Sequence, residues 1–191
     1  MNPFYVGLYG GSELPGILDS DTVARQAFAA RGYEEVDRRA VLRRELDGTE
    51  SPMDRRQMQV RRQMIVEVTS DAPTRTWWEA CTIGEFELTR FDLVPRSGGP
   101  TVATATFRSM EAGGTVGVGR TAGLVALNVD EAYRRRGLAL FLLSDVFRQF
   151  IRQGITHVEV QTRAANAAAL GTFRKLGFQQ TDQGGVWRKN A

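Results

Sequence analysis

The sequence contains almost no cysteine or histidine. Cys81 and His157 are the only residues of these two types among the 191 in the chain. One cysteine cannot form an intramolecular disulfide, and together with one histidine it cannot supply the four ligands of a structural zinc site. The carboxylates do not follow the spacing of a calcium-binding loop. We therefore expect no metal centre, and the scarcity of cysteine predicts a cytoplasmic protein.

Long apolar runs are also absent. No segment approaches the roughly 20 apolar residues that a membrane-spanning helix needs, and none has the pattern of a signal peptide, so we expect no membrane partner. The formal net charge is only +3, although arginines are clustered at 38–44, 55–62 and 134–136. This excess is too small to predict a nucleic-acid surface. An anionic cofactor would account for part of it.

The three successive arginines at 134–136 stand at a predicted helix start. They follow an apolar stretch, 123–129, that predicts a strand, and they precede an amphipathic stretch, 138–153, that predicts a helix. A helix N-terminus has unpaired N–H groups and a positive dipole end, so cations there make sense mainly if an anion binds. Gly137 favours the same interpretation, because a Cβ atom would crowd phosphate oxygens. The pattern predicts a diphosphate site.

Other elements follow from hydrophobic periodicity and turn residues. We predict a strand over 60–68, a short helix within 73–84, and a hairpin of 86–94 and 101–108 joined by a turn that contains proline and glycine. Three further elements are predicted near the C-terminus: a strand at 157–162, a helix at 166–176 and a strand at 185–188. We expect Cys81 to lie in the core rather than to line a pocket.

The order Arg-x-x-Gly-x-Ala after a Leu-x-Val strand end, followed by Asn166-x-x-Ala169 and Leu176-Gly177-Phe178, resembles the acetyl-CoA site of the GCN5-related N-acetyltransferases. The resemblance covers roughly residues 60–189. It implies an α/β fold with a mixed central sheet flanked by helices, in which the fourth and fifth strands splay apart to admit acetyl-CoA or coenzyme A. The implied cofactor-binding residues are Leu127, Asn128, Val129, Arg134, Arg135, Arg136, Gly137, Leu138, Ala139, Asn166 and Phe173.

The resemblance also implies an activity, acyl-CoA-dependent N-acyl transfer from acetyl-CoA directly to a primary amine. Backbone at Val129 would polarise the thioester carbonyl. Phe173 departs from the family pattern, which commonly has a tyrosine that protonates the leaving thiolate. A thiolate with a pKa of about 8 to 9 is a fair leaving group without such an acid, so this departure weakens the prediction of activity without excluding it. The alternative is a non-catalytic module that binds coenzyme A or acts as a scaffold.

A candidate base and an acceptor remain to be assigned. Alternation along 157–162 places His157, Glu159 and Gln161 on one face, and the Glu159 carboxylate could take a proton from the substrate ammonium. A salt bridge from Glu159 to an arginine is an equally compatible role. Asn166 could likewise cap its helix or contact the pantetheine arm. Residues 60–119 contain no motif for the acceptor, so a small-molecule amine and a peptide amine both stay open.

An internal repeat relates residues 21–44 to residues 166–189 at a shift of 145, without a gap. Both copies predict a helix that ends at a glycine and is followed by a strand, with a further short strand before each, at 4–9 and 157–162. The identical or similar pairs are Ala24 and Ala169, Phe28 and Phe173, Gly32 and Gly177, Tyr33 and Phe178, Asp37 and Asp182, Val41 and Val186, and Arg43 and Arg188.

The repeat defines the predicted domains. We predict a partial acetyltransferase-like repeat at 1–47, a linker at 48–59 and a complete acetyltransferase domain at 60–191. Tandem domains occur in the family, for example in mycothiol synthase. The strands of the N-terminal segment have no sheet of their own, so we expect them to pair with the second domain or to form a homodimer. We expect this segment to be dispensable for the cofactor site but not for the assembly.

Overall fold

The computed structural model describes residues 15–48, 55–74, 77, 80–81, 87–110 and 120–189. The predicted strand at 4–9 lies outside these residues. Four α-helices have complete descriptions: α1 (Thr22–Ala30), α2 (Arg55–Gln63), α3 (Leu138–Arg152) and α4 (Ala167–Lys175). The strands are β1 (Ile17–Leu18), β2 (Tyr33–Glu45), β3 (Met64–Thr69), β4 (Leu88–Pro95), β5 (Ala103–Ser109), β6 (Arg120–Val129), β7 (Ile155–Arg163) and β8 (Gln179–Lys189). None of the helices in the described residues is long and apolar enough to cross a membrane.

The chain divides into two compact units. The first unit contains residues 1–43, 74–85 and 160–191, and the second contains residues 44–73 and 86–159. Strand β7 begins in the second unit and ends in the first. The N-terminal residues therefore share a compact unit with the C-terminal residues, which is a different division from the one predicted at 48–59.

The second unit is built on the antiparallel strands β6, β5, β4 and β3, in that order, with the start of β7 beside β6. The predicted hairpin is confirmed as β4 and β5, in which Leu93 pairs with Ala103. Helix α3 contacts β4, β5 and β6. Its Phe150 ring makes edge contacts with Phe91 and Phe107, at centroid distances of 5.7 and 4.9 Å. Such aromatic pairs contribute about 0.5–1.5 kcal/mol each beyond their burial, so they fix the helix on the sheet.

Two sequence predictions for residues 60–85 are wrong. The strand predicted over 60–68 begins only at Met64, because residues 60–63 belong to α2. The arginine, glutamine and methionine residues of α2 are good helix formers, and Val60 alone does not outweigh them. Cys81 is exposed rather than buried, while Trp77, Ala80 and Cys81 are helical, in agreement with the predicted short helix.

The first unit contains β1, β8 and β2 in that order, with the end of β7 beside β2. Strand β2 pairs with β8 from Tyr33–Lys189 to Arg43–Gln179. Both strands are longer than predicted, since only 41–43 and 185–188 have a clear strand pattern. The long antiparallel ladder stabilises polar stretches that have low strand propensity. Ala40, Val41 and Leu42 of β2 are buried at 4% exposure or less.

The two repeat copies have the same helix ends. Asp21 accepts a hydrogen bond from the Ala24 N–H at 2.9 Å, and Asn166 accepts one from the Ala169 N–H at 3.1 Å. Helices α1 and α4 begin and end at positions that differ by the repeat shift. The glycines that follow them, Gly32 and Gly177, have φ angles of +77° and +80°. These left-handed positions end both helices as a C′ glycine does.

The strand pairing in the first unit obeys the same shift. The ladder of β2 and β8 skips one residue on each strand, Val36 on β2 and Thr181 on β8, and these two positions are equivalent. A hydrogen bond from the Asp19 N–H to the Gln183 carbonyl, at 2.8 Å, joins β1 to β8. Its counterpart, from the Ala164 N–H to the Arg38 carbonyl at 2.9 Å, joins the end of β7 to β2. The two copies are thus related by an approximate two-fold axis.

Candidate cofactor site

The predicted diphosphate turn lies between β6 and α3, within the second unit. Strand β6 ends at Val129, and the Asp130 N–H donates to the Val102 carbonyl at 2.9 Å. The Asp130 side chain accepts from the Ala132 N–H at 2.9 Å and caps a 3-10 turn at Glu131–Tyr133. The chain is therefore fixed to β5 and tightly turned before the arginines begin.

The backbone of the turn is left-handed at two positions, Arg135 with φ +61° and Gly137 with φ +78°. Gly137 immediately precedes α3 and provides no side-chain cap. The Phe141 N–H donates to the Gly137 carbonyl at 3.0 Å, which leaves the N–H groups of Leu138 and Ala139 without an intrahelical partner. Turns of this kind aim successive N–H groups at one point and bind anions.

The space in front of Gly137 fits a phosphate group. A Cβ atom built on Gly137 meets no other atom within 4 Å. The cradle is therefore open in front of the uncapped N–H groups, at the positive end of the α3 dipole. A diphosphate can approach the backbone closely here, so the residues present fit the predicted cofactor.

Two of the three arginines in the turn are held by neighbouring groups. The Arg134 Nε donates to the Val129 carbonyl at 3.2 Å, and the Arg136 guanidinium lies 5.2 Å from the centroid of the Tyr133 ring. Arg135 has no ion-pair partner among the described residues. A non-glycine residue in the left-handed region costs about 1–2 kcal/mol, and such strain is often found at binding sites. The turn thus keeps its three arginine side chains exposed.

Strand β6 contains a β-bulge that the sequence did not reveal. Ala126 pairs with Thr106 and Leu124 pairs with Phe107, so Val125 is skipped in the ladder with β5. Leu127 and Val129 continue the ladder normally. A bulge removes one residue from the pairing and re-aims its backbone groups, and bulges are common beside active sites. Val125 is therefore a second candidate, besides Val129, for a backbone group that contacts a ligand.

The candidate base lies on β7, the strand beside β6 in the second unit. Val158, Val160 and Thr162 are buried, while Glu159 is half-buried on the opposite face. The predicted alternation along this strand is confirmed. The structure thus places Glu159 in the same unit as the diphosphate turn.

Asn166 and Phe173 belong to the first unit. The capping role of Asn166 is confirmed by its hydrogen bond with the Ala169 N–H. Phe173 is 3% exposed, and its ring lies 5.4 Å from that of Phe178. The counterpart of Phe173 in the other repeat copy is Phe28, whose ring centroid lies 5.0 Å from that of Tyr33. Cofactor contacts of Asn166 and Phe173 stay predictions.

Comparison with known proteins decides the family. Residues 60–178 match the family model described as the acetyltransferase (GNAT) family. The chain belongs to this family. The match spans α2 to α4 and therefore includes the turn, the bulge and Glu159.

The relatives of this GNAT-family chain are distant. It is 34% identical over 57 residues to the ribosomal protein bS18 alanine N-acetyltransferase of Escherichia coli K12, which is 30% of this chain and 38% of that protein. A GCN5-related N-acetyltransferase from Sphaerobacter thermophilus has 20% identity and a TM-score of 0.60, over 91% of this chain and 58% of that chain. A tandem GNAT protein from the clavulanic acid biosynthesis pathway has 14% identity and a TM-score of 0.65, over 92% and 61%.

These similarities confirm the predicted fold class, a mixed α/β fold of the GNAT type. The chain spans less than two thirds of the length of each of these relatives. Members of the family use acetyl-CoA as a cosubstrate. No group of three or more histidine, cysteine, aspartate or glutamate residues that could hold a metal ion occurs in the part of the chain that the structure describes.

Proposed function

We propose that this protein is an acyl-CoA-dependent N-acyltransferase that transfers an acetyl group from acetyl-CoA directly to a primary amine. The observation that supports this most is the turn between β6 and α3. The left-handed Gly137 of this turn leaves an open space in front of uncapped N–H groups. The turn also contains three arginines. This combination suits a diphosphate, and in the GNAT family the diphosphate is that of coenzyme A.

Different residues of the second unit would bind the cofactor and polarise the thioester carbonyl. The N–H groups of residues 137–139 and the side chain of Arg135 would hold the diphosphate. Backbone along Leu127 to Val129 would contact the pantetheine arm, and a backbone N–H at Val129 or at the Val125 bulge would polarise the carbonyl. The thioester supplies the acyl group and a fair leaving group.

Glu159 would accept the proton that the acceptor amine must lose. An ammonium group is not nucleophilic, so a carboxylate within reach, directly or through one water molecule, supports attack by the free amine. The C–N bond forms as the C–S bond breaks, and the thiolate leaves without a tyrosine acid because position 173 is phenylalanine.

Experiment can show which class of amine is the acceptor. The Escherichia coli relative is named for acetylating an alanine of a ribosomal protein, so peptides with a free N-terminal amine belong in the panel beside small amines. The test measures binding of coenzyme A by calorimetry and turnover of acetyl-CoA with each amine. Gly137→Glu should abolish binding while the fold persists, because it adds a side chain and a negative charge to the cradle.

A non-catalytic coenzyme A-binding or scaffolding module is the second candidate, and Phe173 favours it. Tight binding of coenzyme A by the wild type without turnover of any amine would support this candidate. Binding that is unchanged by Gly137→Glu would contradict both candidates, since both place the cofactor at this turn.

A further inference from the structure

The second unit has a second basic surface, formed by residues other than the arginines of the turn. Met58, Arg61, Arg62 and Arg96 line an open groove of about 420 Å³. Met58 is 47% exposed, so the groove has an apolar patch beside its three guanidinium groups. Sites for small molecules have volumes of about 300–1,000 Å³ and combine apolar contact with a few polar groups. The groove is therefore large enough for an organic ligand.

The groove is built where the turn after β4 meets the end of α2. The Arg96 N–H donates to the Gln63 carbonyl at 2.8 Å, and its Nε donates to the Arg61 carbonyl at 3.4 Å. These bonds hold the Arg96 backbone and side chain against the last turn of the helix. The Arg96 backbone is thus fixed against the helix, and its exposed side chain lies against the carbonyl of Arg61.

The dipole of α2 explains only part of this arrangement. Arg61 and Arg62 lie in the last helical turn, where cations are favourable. Arg96 is not part of the helix, yet it brings a third like charge to the same groove. Neither Arg62 nor Arg96 has a carboxylate partner among the described residues. Neighbouring like charges raise the free energy of the protein unless an anion lies between them, so the groove favours an anion.

Strand register places this groove at the same end of the sheet as the diphosphate turn. Leu93 of β4 pairs with Ala103 of β5, which pairs with Val129 at the end of β6. Pro95, beside Arg96, pairs with Met64, the first residue of β3, which directly follows α2. Neighbouring strands are about 4.8 Å apart, so the ends of β4 and β6 are roughly 10 Å apart. Helix α2 also contacts α3. The turn and the groove therefore lie at the same end of the sheet, so an extended ligand held at the turn could reach the groove.

We infer that the groove is a second oxyanion site, which binds a phosphate or carboxylate group of a ligand held at the reaction site. This inference rests on the proposed function. Guanidinium groups bind both kinds of anion through paired hydrogen bonds. Two sources have this chemistry: the 3′-phosphate of coenzyme A, and an acidic group on the acceptor.

The test removes one charge at a time from the full-length protein. Arg62→Gln and Arg96→Gln each remove a guanidinium from the groove. Arg56→Gln is the matched control, because Arg56 lies on the same helix but does not line the groove. Titration with inorganic phosphate, followed by NMR of the arginine side-chain N–H groups, reports the site without any cofactor. The Arg62 and Arg96 signals should shift in the wild type and in the control, and each groove variant should bind phosphate more weakly.

Two further measurements identify the source. If it is the cofactor, the wild type should bind coenzyme A about tenfold more tightly than dephospho-coenzyme A, and the groove variants should lose this preference. If it is the acceptor, the preference should be equal in all variants. In that case KM for an acidic peptide acceptor should rise about tenfold in the groove variants, relative to a neutral peptide.

The inference is overturned if both groove variants match Arg56→Gln in the phosphate titration, the cofactor preference and the KM comparison. A wild type that does not bind coenzyme A at all would refute the proposed function instead. The phosphate titration would then decide alone whether the groove binds an anion.

Discussion

Replacing Gly137 with alanine separates the backbone role of this residue from its role in binding. The residue has φ +78°, and an alanine in the left-handed region costs roughly 1–2 kcal/mol. Since an added Cβ meets no atom within 4 Å, this backbone cost is the whole expected loss of stability. For a chain of this size it lowers Tm by about 2–8 °C. The same Cβ would lie in the space that a phosphate must enter.

Gly154 provides the matched control. It follows the other end of α3, has φ +76°, and also has no atom within 4 Å of an added Cβ. Gly137→Ala and Gly154→Ala should therefore lose similar stability in thermal unfolding. Only Gly137→Ala should weaken coenzyme A, by about 10- to 100-fold in calorimetry, which corresponds to the loss of one hydrogen bond to a charged group. Equal affinities of the two variants would refute a diphosphate site at Gly137.

Three further variants test Glu159, Arg135 and Asp37. Glu159→Gln should lower kcat more than it changes the affinity for coenzyme A. If steady-state kinetics give this variant the same kcat as the wild type, Glu159 has no role in the mechanism. Arg135→Gly should raise the free energy of unfolding by about 1 kcal/mol, because it relieves the left-handed backbone, and should weaken coenzyme A through the lost charge. The hydrogen bond from buried Arg39 lowers the pKa of Asp37. Asp37→Asn should therefore destabilise the protein at pH 7 more than Asp182→Asn at the equivalent position. Chemical unfolding should show this deficit shrinking as the pH falls from about 4, where Asp37 of the unfolded chain takes up a proton, through the lower pKa that Asp37 has in the folded protein.

The sequence predicted best those features that short segments determine. The basic turn, the extent of α3 and the cap at Asn166 each depend on a few adjacent residues whose preferences agree. The alternation on β7 was likewise predicted, since one face of that strand is apolar. These signals are local, so they do not depend on contacts with distant parts of the chain.

Features that depend on distant pairing were missed. Strands β2 and β8 extend well beyond their apolar centres because each supplies the other with hydrogen-bond partners. The bulge at Val125 results from the register of two strands, and no residue type in β6 marks it. The groove at Arg96 likewise needs the turn after β4 to meet the end of α2. Spacing along the sequence contains none of these contacts, so the sequence did not predict the groove.

The repeat changes the expected role of the N-terminal segment. We propose that it arose by duplication, because the two copies share caps, glycine ends, bulges and even single backbone hydrogen bonds at one constant shift. Strand β2 nevertheless lies between β8 and the end of β7, with Val41 fully buried. Removing this segment would expose that apolar surface and break the ladder of β8. We therefore expect deletion of this segment to destabilise the first unit, while its dispensability for the cofactor site in the second unit stays a prediction.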